Sequence, residues 1–401
     1  VFQTIYGLST KEVIEQKNQP MIKTLREKKG EAYIDYLLFA KSYSHLNNNQ
    51  DYWERNESQQ DSMRQEASLI ALKKAANTKD EWLKRRYAFL ALRFYFYSKN
   101  ETKVVALYDE YFKGKSQWAV DRWAEYHYLH YESNPAKKSY RVAQLFTSVH
   151  SKRPGLWRIF HDKLPKEQIL EFAEHNNEKA NIHALSILRE KGKTLKELKT
   201  IYELDPTNEL LKLLVTREVN KIENWVLGPE ITAYEPVINN NYGKSNTEDN
   251  ILKERIKEDR LYAEKLLDWL MKEATDIDAD LRAASIGVLS LVTDQPEIGV
   301  KEMTKHRFAS KELTVWRKNM FILLKSSTME NPKLDHFQLD NLLLTDYKVK
   351  NAMLFALGRT FEFSNNIKAA ILLYGHLNEG NKNRATFTWH ESNGRTSYNV
   401  D

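Results

Sequence analysis

Apolar residues recur at the three- and four-residue spacing of α-helices through most of the chain. The strongest such pattern is TKDEWLKRRYAFLALRFYFYSKN, residues 78–100, where apolar residues cover most of the helix circumference and Thr78 is placed to cap the first turn. A helix that is apolar on nearly all sides is packed against several neighbours. The pattern therefore predicts an all-α fold in which this helix is an inner member.

The predicted helices follow one another as pairs joined by short turns. In the first half, three second-helix segments look alike, VVALYDEYF, VAQLFTSVHSKRP and LKELKTIYELDP, spaced by about 38 and then about 55 residues. In the second half the same spacing of apolar residues predicts helices at 251–275, 279–292, 296–306, 310–327, 337–346, 349–364 and 365–380. We therefore expect stacked antiparallel helix pairs.

One long segment interrupts the helical pattern. Residues 228–250, GPEITAYEPVINNNYGKSNTEDN, are rich in Gly, Pro and Asn and predict a linker or long surface loop. This divides the chain into an N-terminal helical-repeat block, 1–227, and a C-terminal block, 251–401. The last residues lack helical periodicity and form no polar cap, so we expect the natural protein to continue beyond them.

Composition narrows the fold and the chemistry. Among 401 residues there are only 13 glycines and 9 prolines, too few for the turns of a β-sandwich or barrel. Cysteine is absent, which excludes disulfides, thiolate metal sites and a cysteine nucleophile. No apolar run approaches the roughly 18–20 residues that a membrane span requires. The net charge of +6 is spread over alternating acids and bases, which argues against a nucleic-acid track.

Residues 82–208 resemble tetratricopeptide repeats. The resemblance is carried by Leu204-Asp205-Pro206 at the end of a helix, by Ala143 with Phe146 and Pro154, and by the lengths of the helix pairs. The small residue expected in each first helix changes identity between pairs, so the repeats are degenerate. The resemblance implies an α-solenoid whose concave face binds a partner.

The opening residues resemble a second group of proteins. IYGLSTKEVIEQKNQPMIKTLREKKGEAYIDYLLFAKSYS, followed by DYW, is similar to large helical-repeat proteins of Bacteroidetes associated with the cell envelope. That resemblance implies a location in the periplasm or at the outer-membrane surface, with the cytoplasm left open. It implies no particular activity.

Aromatic residues concentrate in RFYFYSK, 93–99, and WAEYHYLHY, 123–131. Exposed Tyr, Trp and Arg make binding hot spots, whereas the same residues at helical spacing also build cores. If a ligand groove exists, we expect its partner-binding residues to be Arg93, Tyr97, Tyr126, His127 and Tyr131.

Three other features have residue types that can carry chemistry. His127 and His130 have the spacing to share a metal, but no third ligand is evident, and we expect them to pack among tyrosines. Glu391-Ser392 resembles the start of the catalytic domain of soluble lytic transglycosylases. The Gly-rich continuation of that domain is missing, so we expect these residues to lie in a surface loop. Asp278 and its neighbouring acids predict a helix N-terminus.

These observations predict no catalytic residue, cofactor or metal. The leading hypothesis is a scaffold that binds protein partners within a multiprotein envelope complex. Two alternatives stay open: a helical accessory region of a peptidoglycan-active enzyme, and an RNA-binding helical repeat, which would show steep salt dependence.

Overall fold

The computed structural model describes residues 20–28, 30–47, 57–161, 163–188, 190–227, 246–328, 347–378, 388–392 and 395–399. The chain forms two compact units, Val1–Leu185 and Ser186–Asp401. Three predicted features fall wholly or mostly outside the described residues: a capping box that STKE predicts at Ser9–Glu12, the segment 228–250 and the helix at 337–346. A helix begins at Asn246, within the last positions of that predicted linker. The predicted blocks 1–227 and 251–401 stay a prediction.

The first unit is built from paired helices, and the prediction of an all-helical class is confirmed for it. Its helices are α1 (Pro20–Glu27), α2 (Glu31–Ser42), α3 (Glu57–Asn77), α4 (Glu81–Tyr97), α5 (Glu101–Tyr111), α6 (Ala119–Tyr128), α7 (Pro135–Ser148), α8 (Arg153–Ile159), α9 (Lys166–Leu170) and α10 (Asn176–Ile187), with 3-10 turns at Ser44–Asn47 and His150–Lys152. Consecutive helices pack on one another, α3 on α4, α4 on α5 and α7 on α8.

The second unit is also made of helices that pack in sequence. They are α11 (Leu195–Leu204), α12 (Glu209–Ile222), α13 (Asn246–Lys272), α14 (Ala279–Val292), α15 (Pro296–Lys305), α16 (Lys311–Ser327), α17 (Tyr347–Phe363) and α18 (Ile367–Gly375), with a π-helical turn at Glu223–Leu227 and a 3-10 turn at His376–Asn378. From α13 to α18 each helix contacts the next. In the described part of the chain, no helix is both long and apolar enough to cross a membrane.

Helix α4 is the inner helix that its apolar circumference predicts. Its buried residues include Leu83, Phe89, Leu92 and Phe94, and it contacts α3, α5 and α6. Against it, α3 presents a stripe of small residues, Ala67, Ala71 and Ala75, all fully buried. Small side chains at this four-residue spacing let two helix backbones approach closely, so α3 and α4 form an extensive pair.

The same turn closes three helices before their partners begin. Lys99, Asp294 and Asn365 have φ of 55°, 58° and 58°, in the left-handed region. In each case the next backbone N–H donates to a carbonyl five residues earlier, at 2.8–2.9 Å. This is the Schellman arrangement, which satisfies carbonyls left open at a helix end. It explains how α4, α14 and α17 each hand over to the following helix within three residues.

Four local predictions are corrected by the structure. The cap of α4 is Asp80, which accepts a hydrogen bond from Leu83 N at 2.9 Å, and Thr78 lies before it. The apolar spacing in DSMRQEASLIALKKAAN, 61–77, predicts that Met63 faces inward, but Met63 is 38% exposed. Arg64 takes the buried position because it donates to the Leu46 carbonyl.

The other two corrections concern segment boundaries. The polar stretch 47–62 is not all loop, since α3 starts at Glu57. The residues around Glu391, predicted as a loop, form a strand, β1 (Thr388–Ser392), that pairs antiparallel with β2 (Arg395–Asn399).

Candidate partner-binding site

His127 lies at the centre of an aromatic cluster that joins α6 to α4. Its side chain is only 2% exposed. The centroid of its ring is 4.5 Å from that of Phe96 and 5.8 Å from that of Phe89, both on α4, and 5.1 Å from that of Tyr126. The rings meet at tilted or edge-on angles, the arrangement that aromatic pairs prefer. His127 therefore holds α6 against α4 from inside the cluster.

The imidazole of His127 is buried without a hydrogen bond. Neither Nδ1 nor Nε2 has a partner within the part of the chain that the structure describes. Burial, and then the positive charges of Lys152, Arg93 and His130, hold its pKa well below the ordinary value of 6.5. The ring is therefore neutral at neutral pH. Each neighbour whose charge lowers its pKa is a basic residue.

Tyr97 and Tyr126 are more exposed than the histidine that they contact. Both are half-buried, and their ring centroids lie 6.4 Å and 5.1 Å from that of His127. Tyr126 packs onto α8 at Gly155, where an added Cβ would lie 2.9 Å from a Tyr126 ring carbon. Gly155 therefore makes room for the ring. Burial and then Tyr97 raise the pKa of the Tyr126 phenol, while Arg158 opposes this.

Three cationic side chains accompany these tyrosines. They come from three elements: Arg93 from α4, Lys152 from the 3-10 turn and Arg158 from α8. Arg93 Cζ is 5.9 Å from the centre of the Tyr97 ring, and Lys152 Nζ is 5.3 Å from the centre of the Tyr126 ring. Both distances are within the range of a cation–π contact. We call Arg93, Tyr97, Tyr126, Lys152 and Arg158 the Tyr97–Tyr126 patch.

The cations of the patch have no counter-ion on the described chain. None of the three side chains forms an ion pair or hydrogen bond with any residue in the described ranges. Burial and the positive charge of Arg93 lower the pKa of Lys152. Like charges are thus held together here, which favours an anion at this place.

Tyr131 reaches the same cluster through Phe96, at a ring-centroid distance of 6.0 Å. Burial raises the pKa of Tyr131, and the negative charge of Glu101 adds to this. Tyr131 therefore lies near the negative charge of Glu101, whereas the members of the patch lie near positive charges. The edge beside Tyr131 is less suited to an anion.

The structure brings all five predicted residues into one cluster, in three different roles. Arg93, Tyr97 and Tyr126 are half-buried members of the patch, His127 is enclosed in the core, and Tyr131 is at the edge.

Sequence reasoning missed Lys152, Gly155 and Arg158. The apolar spacing in KSYRVAQLFTSVHSKRP predicts one helix over 138–154, whereas α7 ends at Ser148 and a separate α8 follows. The basic run KRPGLWR at 152–158 is the signal that marks them.

The other candidate chemical features have structural explanations. His130 packs on Phe96 at 5.0 Å, and no group of three or more metal-ligating side chains gathers in the described ranges. Asp278 caps α14 by accepting from Leu281 N at 3.0 Å, which confirms the predicted helix N-terminus. Glu391 lies opposite Thr396 in the hairpin.

Comparisons with known proteins give no match: no family model fits the chain, and no curated protein or solved structure is detectably similar to it. Function is therefore inferred from the geometry of the Tyr97–Tyr126 patch.

Proposed function

We propose that this chain is a non-catalytic protein-binding module, a scaffold within a multiprotein complex, and that a partner docks on the Tyr97–Tyr126 patch. The observation that carries the proposal is the pair of half-buried tyrosines, seated on a buried aromatic cluster and accompanied by three cations that form no ion pair with the described residues. Tyr and Arg dominate the binding energy of protein interfaces because each combines a large contact area with directed polar groups.

The packing of His127 supports a binding role over a catalytic one. Its ring contacts other rings on α4 and α6 and is nearly fully buried. A general base must reach the proton that it abstracts from a ligand. An imidazole enclosed in this way instead braces the tyrosines, so they meet a partner at little conformational cost.

We also propose that the helix pairs form a tetratricopeptide-like α-solenoid. The recurrence of one closing turn at Lys99, Asp294 and Asn365 supports this, because repeated units reuse the same connection. Asp294 and Asn365 are separated by about two periods of the ~34-residue tetratricopeptide repeat. A concave face of such an array would present the patch to an extended partner segment.

The location proposed for this scaffold is the bacterial cell envelope. The support is the resemblance of the opening residues to envelope proteins of Bacteroidetes. Fractionation of the native host with an antibody to the chain tests the location: recovery with the cytosol alone contradicts it.

The binding role is tested by crosslinking mass spectrometry on complexes purified through the chain. We expect crosslinks between a stoichiometric partner and residues 93–158. Tyr97→Ala and Tyr126→Ala should each weaken that association about tenfold or more, with helicity unchanged by circular dichroism. Tyr111→Ala is the matched control, a half-buried tyrosine on α5 outside the patch. Unaltered association of both patch variants would refute the proposal.

A further inference from the structure

The cations of the Tyr97–Tyr126 patch belong to a recognition site for a carboxylate-rich segment of the partner; we infer this from their lack of any described counter-ion, and it rests on the proposed binding function. Arg93, Lys152 and Arg158 come from three elements and meet around two phenol rings. Each is without an ion pair among the described residues. An acidic segment would supply the missing negative charge.

Two other guanidiniums of the first unit lie over a ring and have a carboxylate partner, whereas Arg86, 5.0 Å from the centre of the Trp82 ring, forms no ion pair within the described residues. Arg85 stacks on the Trp118 ring at 4.2 Å and pairs with the buried Asp121 at 2.9 Å. Arg141 lies 4.9 Å from the centre of the Tyr128 ring and pairs with Glu125.

In both places a guanidinium over an aromatic ring has its carboxylate within the same chain. The patch has the same cation-over-ring contacts, at Arg93 and at Lys152, but no carboxylate of the described ranges pairs with either cation. Charge-assisted hydrogen bonds between such cations and a carboxylate are about twice as strong as neutral ones. A bound partner could therefore supply the carboxylate.

The electrostatic state of the patch points the same way. Burial and the charge of Arg93 lower the pKa of Lys152, and Lys152, Arg93 and His130 all help to lower that of His127. A bound carboxylate would relieve this repulsion and raise the pKa of Lys152. Partial burial strengthens the attraction, because the surroundings screen charge less than water does.

The shape of the patch favours a peptide over a phosphate polymer. The cations form one group around Tyr97 and Tyr126, whereas acids and bases alternate along the chain as a whole. A nucleic acid needs a track of cations along its backbone. A short acidic segment needs only a few, and its neighbouring apolar side chains would pack on the two tyrosine rings.

The test uses fluorescein-labelled peptides of repeated Glu-Ser-Leu and of repeated Gln-Ser-Leu, with oligouridylate as the phosphate probe, and reads anisotropy on the full chain. We expect the Glu peptide to bind about tenfold or more tightly than the Gln peptide. Arg93→Gln and Lys152→Gln should each reduce that affinity about five- to tenfold. Lys103→Gln, at an exposed position of α5, should leave it unchanged.

Folding is checked for each variant by its melting temperature. Burial and the charge of Arg93 both disfavour the charged form of Lys152, so Lys152→Gln should melt no lower than the wild type and its loss of affinity is a loss of recognition. Arg93→Gln counts in the same way when it melts as the wild type does. Equal binding of the two peptides, no binding of the Glu peptide up to about 1 mM, or charge variants that bind as the wild type does would each overturn the inference. Tighter binding of oligouridylate, lost in the same variants, would replace the acidic peptide with a nucleic acid.

The native partner separates this inference from the proposed function. If Tyr97→Ala releases the partner and Arg93→Gln does not, the patch binds protein but does not select acidic segments. If neither variant releases it, the binding role of the patch fails as well.

Discussion

At the scale of single residues, the structure places a lysine in a backbone conformation that glycine usually adopts. Lys99 adopts φ of 55° after the last turn of α4, and Asn100 N then donates to the Tyr95 carbonyl at 2.9 Å. Glycine is the usual residue at this position, because a Cβ clashes in the left-handed region. The turn forms here even though lysine, and not glycine, occupies its left-handed position.

Replacing Lys99 with glycine should therefore stabilise the protein. We expect Lys99→Gly to raise the free energy of unfolding by about 0.5–1 kcal/mol, because the strain of a Cβ at positive φ is removed. Urea denaturation measures this as a higher midpoint at constant slope. The control, Ala106→Gly at an exposed interior position of α5, should lower the free energy of unfolding by about 1 kcal/mol. A destabilising Lys99→Gly would contradict the turn.

The neutral, buried His127 should make stability depend on pH. Its folded pKa is held below the ordinary 6.5 by burial and by Lys152, Arg93 and His130, so below about pH 6.5 the unfolded chain binds a proton that the folded chain does not. Stability contributed by this group is complete above that pH and is lost as the pH falls. Between pH 7.5 and 5.5 the loss should be about 1.4 kcal/mol.

Urea unfolding of His127→Phe at the same two pH values checks this. The phenyl ring keeps the aromatic cluster and does not titrate, so the decline should shrink by about 1 kcal/mol whatever the absolute stability of the variant. Ala106→Gly, which removes no titrating group, should show the wild-type decline. An equal decline in His127→Phe would mean that His127 is protonated in the folded state.

At the scale of elements, a buried polar network assembles the second unit. Glu218, fully buried on α12, accepts hydrogen bonds from Thr194 N at 3.0 Å and from Thr194 Oγ1 at 2.7 Å. Tyr262 on α13 donates to the same carboxylate, and its hydroxyl accepts from Leu195 N at 2.8 Å. Burial and the bond to Glu218 raise the pKa of Tyr262. Side chains of α12 and α13 thus both bond the residues at the start of α11.

Removing the Tyr262 hydroxyl should cost more than removing a tyrosine hydroxyl whose hydrogen bonds lie at the surface. Tyr262→Phe leaves Leu195 N without its acceptor, and we expect the free energy of unfolding to fall by about 1–3 kcal/mol. Tyr202→Phe is the matched control; its hydroxyl bonds Asp276 at an exposed site, and the loss should stay below about 0.5 kcal/mol. Similar losses in chemical denaturation would show that the network contributes little.

At the scale of the whole molecule, the long helices could be predicted from the sequence, but the short elements between and after them could not. The segment 279–292 is reproduced as α14 with its cap at Asp278, because periodicity and capping are local properties. The hairpin at β1 and β2 and the separate α8 were missed. Short elements carry little periodic signal, and their existence depends on what they pack against.

The sequence by itself determined that this chain is helical and where most helices lie, since these follow from the spacing of residues near one another in the chain. Only the tertiary structure decided that His127 is enclosed while Tyr126 stays partly exposed, and that Lys152 and Arg158 join Arg93. Burial and unpaired charge depend on which distant residues meet. Those meetings are set by packing between helices, and no local pattern encodes them.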